Sequence, residues 1–115
     1  MRQVRGDMPV ELTSAQRKFL RSAGRRRKVD VIVGKAGLSE ATLEHIRLQL
    51  ARRELLKIRL LESAGDDRAA EAERIAAAVD AALVDLVGRA VVIYRPNDAL
   101  APDDRIELPA RGPWP

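Results

Sequence analysis

Short apolar runs with strand character are separated along this chain by segments of helical periodicity, and this alternation constrains the fold more than any other feature. Val29 to Val33 is a β-branched run bounded by Gly34, and in Glu54 to Glu62 apolar residues recur at every second position. Strands that alternate with helices are joined by crossovers, which give parallel strand pairs. The chain is therefore predicted to be an α/β protein.

The first helix is predicted from Thr13 to about Ala23. Thr13 and Gln16 have the spacing of a capping box, and Gly24 follows as a helix-terminating signal. Phe19, Leu20 and Ala23 are expected on its buried face, with Arg17, Lys18 and Arg21 mostly outside it.

Two more helices follow in the pattern. The second begins at Ser39 and Glu40 and ends near Arg53, with Leu43, Ile46 and Leu50 on one face. The third begins at Asp66 and Asp67, because carboxylates favour a helix N-terminus. Its predicted buried residues are Ala72, Ile75, Ala76 and Val79.

The last two strands are predicted to form a hairpin. Leu83 to Val87 and Ala90 to Arg95 are joined by Gly88 and Arg89, a two-residue loop that suits a type II′ turn. The element order is then α-β-α-β-α-β-β. We expect an α/β two-layer sandwich in which three helices cover one face of a four-stranded mixed sheet.

A chain of 115 residues is long enough for one domain. The pattern predicts one compact unit with flexible ends, which we expect at residues 1–10 and 110–115. The sequence has no cysteine, no apolar signal-peptide core and no run of about 18 apolar residues. A cytoplasmic location is expected.

The basic residues are concentrated in the first half of the chain. The net charge is +4, and 17 of the 21 basic residues are arginine. The balance is +6 over residues 1–30, +3 over residues 31–60 and −5 over residues 61–115. Such asymmetry favours a polyanionic partner, although a solvated surface of mixed charge can also produce it.

A glycine-flanked loop joins the first strand to the second helix. Gly34, Lys35, Ala36 and Gly37 form a G-x-x-G motif, and glycine allows a ligand to approach the backbone closely. Backbone N–H groups there, the unpaired donors of the helix N-terminus and Lys35 could together hold a phosphate. An ordinary tight turn explains the same spacing. A nucleotide-binding P-loop is disfavoured, because Val29 and Ala36 stand where it needs glycine and a hydroxyl residue.

Clustered cations extend this candidate site. They are Arg25, Arg26, Arg27 and Lys28 before the first strand, Arg52 at the end of the second helix, and Lys57 in the second strand. One or two cations would satisfy a helix C-terminus, whereas four in a row repel one another unless an anion binds them. Lys57 and Arg59 are expected together on an exposed sheet face.

Catalytic and metal-binding patterns are weak. His45 has no second histidine or cysteine as a partner and is expected on the surface. The acidic residues lie at a predicted helix start or in polar segments, where capping and solubility explain them. Phe19 and Tyr94 fall in apolar patterns, so base stacking on an aromatic sheet is disfavoured. No cofactor, metal site or enzymatic activity is expected.

Five segments resemble the YhbY family, the stand-alone bacterial form of the CRM domain. They are Leu12 to Arg17, Val31 to Ser39, Glu54 to Arg59, Val87 to Arg89 and Val92 to Pro96, in matching order and spacing over roughly residues 11–109. The resemblance implies a fold similar to the C-terminal domain of translation initiation factor three. It also implies RNA binding without catalysis, on precursors of the large ribosomal subunit.

In this family the G-x-x-G loop corresponds to Gly34, Lys35, Ala36 and Gly37, and it resembles the backbone-clamping loop of KH domains. The expected partner is ribosomal RNA, bound by a monomer, with no membrane and no small-molecule substrate. Two alternatives remain at this point. One is a general RNA- or DNA-binding module, since phosphate contacts do not identify the polymer, and the other is a small nuclease that uses the acidic residues.

Overall fold

The computed structural model describes residues 11–34, 38–61 and 67–109. The predicted flexible ends at 1–10 and 110–115 lie outside the described residues, as do Asp66 and three residues of the glycine loop, Lys35, Ala36 and Gly37. The helices are α1 (Ser14–Arg26), α2 (Glu40–Arg53) and α3 (Arg68–Ala78), and the strands are β1 (Val31–Val33), β2 (Leu55–Leu60), β3 (Ala82–Val87) and β4 (Ala90–Tyr94). The predicted order of elements is confirmed.

The described strands form one mixed sheet in the order β1-β2-β4-β3. β1 and β2 are parallel, whereas β4 is antiparallel to both of its neighbours. The α/β class, with three helices and a four-stranded mixed sheet in the described ranges, is thereby confirmed. The sequence predicts that strands joined by a helix are parallel neighbours. This holds for β1 and β2 but not for β2 and β3, because β4 lies between β2 and β3.

The hairpin turn has the predicted geometry. Gly88 has φ +59°, while Arg89 is not among the described residues with positive φ. A positive φ at the first central position alone distinguishes a type II′ turn from a type I′ turn. The glycine is therefore needed here by the backbone itself.

Apolar side chains are buried on both faces of the sheet. The larger cluster lies between the sheet and helices α2 and α3, and it includes Ile46, Leu50, Leu56, Ile58, Ile75, Val91 and Ile93. The smaller cluster lies under α1 and the C-terminal segment at residues 95–109, and it contains Leu20, Leu55, Val84, Val92 and Tyr94, with Ile106 and Leu108 packed against them.

This layering corrects the expectation that the helices share one face. Successive residues of β4 belong to different clusters. Val91 and Ile93 belong to the cluster beneath α2 and α3, whereas Val92 and Tyr94 belong to the cluster beneath α1. A nearly continuous apolar run is the pattern of a central strand buried on both sides. Helix α1 is therefore in a third layer, opposite the other two helices.

Helix α1 begins as predicted but ends later. The Thr13 side chain accepts a hydrogen bond from the Gln16 amide at 3.0 Å, and Gln16 Oε1 accepts one from the Thr13 amide at 3.0 Å, which completes the capping box. The prediction that Gly24 ends the helix is wrong. Gly24 is buried within α1, and a Cβ there would lie 2.9 Å from both γ-carbons of Val92. The absence of a side chain at position 24 therefore permits close packing of α1 on the sheet.

The buried face of α1 also differs from the predicted one. Gln16, Leu20 and Gly24, spaced four apart, are its buried residues, whereas Phe19 is 40% exposed. The buried stripe therefore follows the i, i+4 row of the helix surface rather than the positions with the most apolar side chains.

Strand β1 is shorter than the predicted Val29 to Val33 and is buried on one face only. Val31 and Val33 are buried, but Ile32 is 59% exposed. Glu54 is not part of β2, which runs from Leu55 to Leu60, and Glu62 lies outside the described residues. Ser39 and Asp67 cap α2 and α3 through bonds to the amides of Thr42 and Ala70, as the sequence predicts for those helix starts.

Candidate nucleic-acid interface

Helix α1 covers only one half of its face of the sheet. At the covered end Leu55, Val84 and Tyr94 are buried. At the other end, toward which β1 and β2 run, Ile32 is 59% exposed, Val87 is 54% exposed, and Arg59 is exposed as well. This uncovered half is an open sheet surface next to the start of the glycine loop.

One row of side chains crosses this surface from strand to strand. Ile32 of β1 is opposite Arg59 of β2, Arg59 is opposite Ala90 of β4, and Ala90 is opposite Val87 of β3. Side chains at paired positions point to the same side of a sheet. We call Ile32, Arg59, Ala90 and Val87 the open row; it places one cation between two exposed apolar side chains.

The glycine loop leaves the sheet at the edge of this row. The Leu61 amide donates to the Val33 carbonyl at 3.0 Å, which holds the end of β1 against the end of β2. Among the described residues, a Cβ added to Gly34 would meet only Leu61 Cδ1, at 3.8 Å, and Gly34 has no left-handed φ. Neither packing nor backbone conformation therefore requires glycine at position 34.

The start of α2 lies directly after the loop. Ser39 Oγ accepts a hydrogen bond from the Thr42 amide at 3.1 Å, which satisfies one of the free donors of the first turn. The Glu40 carboxylate would oppose an anion there, but it is paired with Arg47, whose Nη1 lies 3.2 Å away. The hydrogen bond to Glu40 raises the pKa of the Arg47 guanidinium.

The four consecutive cations begin on the last turn of α1 and divide into two kinds. Arg27 is held by Asp30, with Nε 2.8 Å from Oδ2, and its side chain is only 25% exposed. Arg25 is 3.8 Å from Asp85 and 68% exposed, a separation and exposure typical of weak ion pairs. Arg26 and Lys28 are exposed and form no ion pair with another described residue.

The cations before β1 and the glycine loop after it lie at opposite ends of the strand. At about 3.4 Å per residue, the chain from Lys28 to Gly34 spans no more than about 20 Å. A single extended anionic chain could therefore contact both ends along the β1 edge. The residues between them include the exposed Ile32.

Lys57 and Arg59 share the sheet face predicted for them, but their environments differ. Lys57 is partly buried and its Nζ donates to the Arg27 carbonyl at 3.1 Å, so it joins the end of α1 to β2. Arg59 is exposed, and no ion pair joins it to the part of the chain that the structure describes. The alternation Lys-x-Arg in β2 had placed Arg59 on this face, yet it was not among the predicted site residues.

A groove of about 240 Å³ lies at the C-terminal end of α1, between the helix and the open row. It is lined by Gly24, Arg25, Lys57, Asp85, Val87, Ala90 and Val92. The groove brings the cations of α1 and β2 close to the apolar end of the open row.

Arg52 is not brought to this surface. Helix α2 begins at the glycine loop and packs on the opposite face of the sheet from α1. Arg52 is in its last turn, so at about 1.5 Å per residue it lies about 18 Å along the axis from the helix start. His45 is exposed on the same helix, as predicted.

Other site types receive no support from the described residues. Within residues 11–34, 38–61 and 67–109, no group of three or more histidine, cysteine, aspartate or glutamate side chains is arranged to hold a metal ion. No helix in those ranges is both long enough and apolar enough to cross a bilayer.

The fold and the motif positions define the class of this protein. The model of the CRS1 / YhbY (CRM) domain family matches residues 12–95, which include every described α-helix and β-strand. The chain belongs to this family, and the resemblance seen in the sequence is confirmed.

Relatives of known name support the same assignment. The chain is 31% identical over 98 residues to the probable RNA-binding protein YqeI of Bacillus subtilis, covering 85% of this chain and 99% of that protein. It is 34% identical over 88 residues to a probable RNA-binding protein of Pseudomonas aeruginosa, covering 76% and 85%. A Staphylococcus aureus protein described as a candidate RNA-binding protein has a similar solution structure, with TM-score 0.70, 32% identity, and coverage of 86% and 100%.

Proposed function

We propose that this protein binds ribosomal RNA of large-subunit precursors and assists ribosome assembly in the cytoplasm, as a monomer and without catalysis. The glycine loop, from Gly34 to Gly37, receives phosphates, and Lys35 pairs with one of them. The neighbouring cations Arg25, Arg26, Arg27, Lys28 and Lys57 extend the basic surface, with Arg52 as a peripheral contact. The family assignment and the RNA-binding names of the relatives support the RNA partner.

The observation that carries the proposal is the environment of Gly34. Gly24 is needed by packing and Gly88 by its φ of +59°, but the fold would accept a Cβ at Gly34. A glycine that the fold does not need, at the end of a strand and before a helix N-terminus, fits a position where a sugar-phosphate chain approaches the backbone. An excess of arginine in the first half of the chain supplies the matching charge.

A substitution series at Gly34 tests this directly. Gly34→Ala and then Gly34→Val should weaken binding to purified large-subunit ribosomal RNA progressively, by about tenfold for valine, while the thermal unfolding midpoint changes little. Ala77→Val, at an exposed position on α3, is the control and should bind like the unmodified protein. Unchanged RNA affinity of the Gly34→Val variant in a gel-shift titration would show that the loop is not part of the RNA interface.

Competition experiments identify the polymer. At fixed salt, ribosomal RNA should displace a labelled ribosomal RNA fragment far better than duplex DNA of equal length does. Equal competition would favour a general RNA- or DNA-binding module instead. Incubation with labelled RNA and Mg²⁺ should leave the RNA intact, and its cleavage would show a nuclease. Crosslinking in cells with sequencing of the attached RNA tests the assignment to large-subunit precursors.

A further inference from the structure

We propose that the open row of the sheet (Ile32, Arg59, Ala90 and Val87) binds an unpaired RNA segment, with bases resting on Ile32 and Val87 and the phosphate between them paired with Arg59. This inference rests on the proposed RNA-binding function and extends it from the glycine loop to the sheet. It gives the protein a preference for single-stranded over duplex RNA.

The exposure of the apolar residues is the first argument. Ile32 is 59% exposed between the buried Val31 and Val33, and Val87 is 54% exposed although its neighbour Leu86 on the other face is partly buried. Scattered apolar residues on a surface are ordinary, but these two lie in one cross-strand row. At about 4.8 Å between strands, Ile32 and Val87 are about 14 Å apart. That length suits a short extended segment.

The charges of this surface indicate that its ligand is an anion. Arg59 stands between the two apolar residues and forms no ion pair within the described residues. The acidic side chains of the adjacent row, Asp30 and Asp85, face Arg27 at 2.8 Å and Arg25 at 3.8 Å. The surface thus offers a cation to an incoming anion, while Asp30 and Asp85, the described carboxylates of the adjacent row, are paired with arginines.

The combination of apolar and cationic groups favours unpaired RNA over duplex RNA. A duplex presents phosphates and ribose at its surface and keeps its base faces stacked inside. An unpaired strand offers base faces and phosphates alternately, which matches the order apolar, cation, apolar along the open row. The protein chain passes directly from β1 into the glycine loop, so a single RNA strand can contact both the open row and the loop.

Two matched pairs of variants test the row. Ile32→Thr and Val87→Thr remove apolar contact but keep β-branched side chains suited to a strand. Leu48→Gln is the control for them, because Leu48 is 58% exposed on α2, on the other face of the sheet. Arg59→Gln removes the cation, and Arg53→Gln, at an exposed position in the last turn of α2, is its control with the same change of charge.

The full chain is titrated with two probes, an oligouridine of about 12 nucleotides and an RNA duplex of about 12 base pairs. We expect Ile32→Thr and Val87→Thr each to weaken oligouridine binding about three- to tenfold with no change for the duplex. Arg59→Gln should also reduce the slope of log affinity against log salt for oligouridine by about 0.7, the value for one phosphate contact on a single strand. Both controls should match the unmodified protein.

The outcomes separate this inference from the proposed function. If Gly34→Val weakens RNA binding while the open-row variants behave like their controls, RNA binding stands and the sheet surface is not used for it; a protein partner would then be the alternative occupant. Equal losses of affinity for oligouridine and for duplex RNA would show that the open row does not contact bases. Failure of the unmodified protein to bind either probe or ribosomal RNA would overturn both proposals.

Discussion

At the scale of single residues, Glu54 does the most to connect distant parts of the chain. It caps α2 with φ +66° and is completely buried. Its carboxylate accepts hydrogen bonds from the amides of Asn97 at 2.6 Å and Ile106 at 2.7 Å, and from Arg105 Nε at 3.1 Å. A buried carboxylate is tolerated when ion pairing and hydrogen bonds satisfy it in this way. The sequence pattern had assigned Glu54 to the start of a strand.

Glu54→Gln should destabilise the protein by about 3 kcal/mol, because the amide nitrogen would face a backbone N–H donor and the charge opposite Arg105 would be lost. The free energy of unfolding from urea denaturation measures this. Glu107→Gln, with the same change of charge at an exposed position, should have almost no effect. Equal effects of the two substitutions would show that the buried network adds little.

Gly24→Ala should also be destabilising, although alanine is the better helix former by about 1 kcal/mol. Its Cβ would lie 2.9 Å from two carbons of Val92, so α1 would have to move off the sheet. Overpacking of this kind costs about 1–3 kcal/mol. Thermal unfolding should show the loss, and Val92→Ala in the same chain should restore part of it. A gain in stability from Gly24→Ala alone would contradict the close packing.

At the scale of elements, the C-terminal segment at 95–109 acts as part of the fold although it follows the last strand. Ile106 and Leu108 pack against the cluster beneath α1, and the Pro109 carbonyl accepts a hydrogen bond from Gln16 Nε2 at 3.1 Å. The segment therefore connects the start of α1 with the end of α2. The family match ends at residue 95 and includes only the first residue of this segment.

Removing the residues after Asp98 should destabilise the domain by about 3 kcal/mol or more, because two apolar side chains are lost and the Glu54 carboxylate loses two of its partners, Arg105 and Ile106. Denaturation of the shortened chain measures the loss. A chain ending at Pro109 is the control and should keep full stability, which tests the predicted domain boundary at 109. Equal stability of the two chains would show that the segment is dispensable.

At the scale of the whole molecule, charge is distributed between the two ends of the sheet. The open row lies at the loop end of the sheet, whereas Asp98, Asp103, Asp104 and Glu107 belong to the segment that packs at the Tyr94 end. The charge asymmetry of the sequence thus has a counterpart in the fold. An RNA chain would be attracted to one end of the molecule and repelled from the other.

The buried tyrosine gives folding stability a dependence on alkaline pH. Burial raises the pKa of Tyr94, and the nearby Glu54 carboxylate raises it further. The unfolded chain ionises near pH 10, before the folded chain does, so the contribution of Tyr94 is complete below that pH and is lost as pH rises through the folded pKa.

Tyr94→Phe should therefore lose less stability than the unmodified protein between pH 7 and about pH 11. Urea denaturation at both pH values measures the difference, and lysine titration affects both proteins alike. Tyr94 is the only tyrosine in the chain, so its ionisation can also be followed by absorbance. Identical losses in the two proteins would show that Tyr94 has the same pKa folded and unfolded.

The sequence by itself determined the order of elements, the caps at Thr13, Ser39 and Asp67, and the turn at Gly88, because each depends on residues a few positions apart. Only the tertiary structure decided that α1 covers the other face of the sheet and that Gly24 contacts Val92. It also decided which cations pair with carboxylates and which, like Arg59, face solvent. Those outcomes depend on contacts between residues far apart in the chain, where no local spacing carries the information.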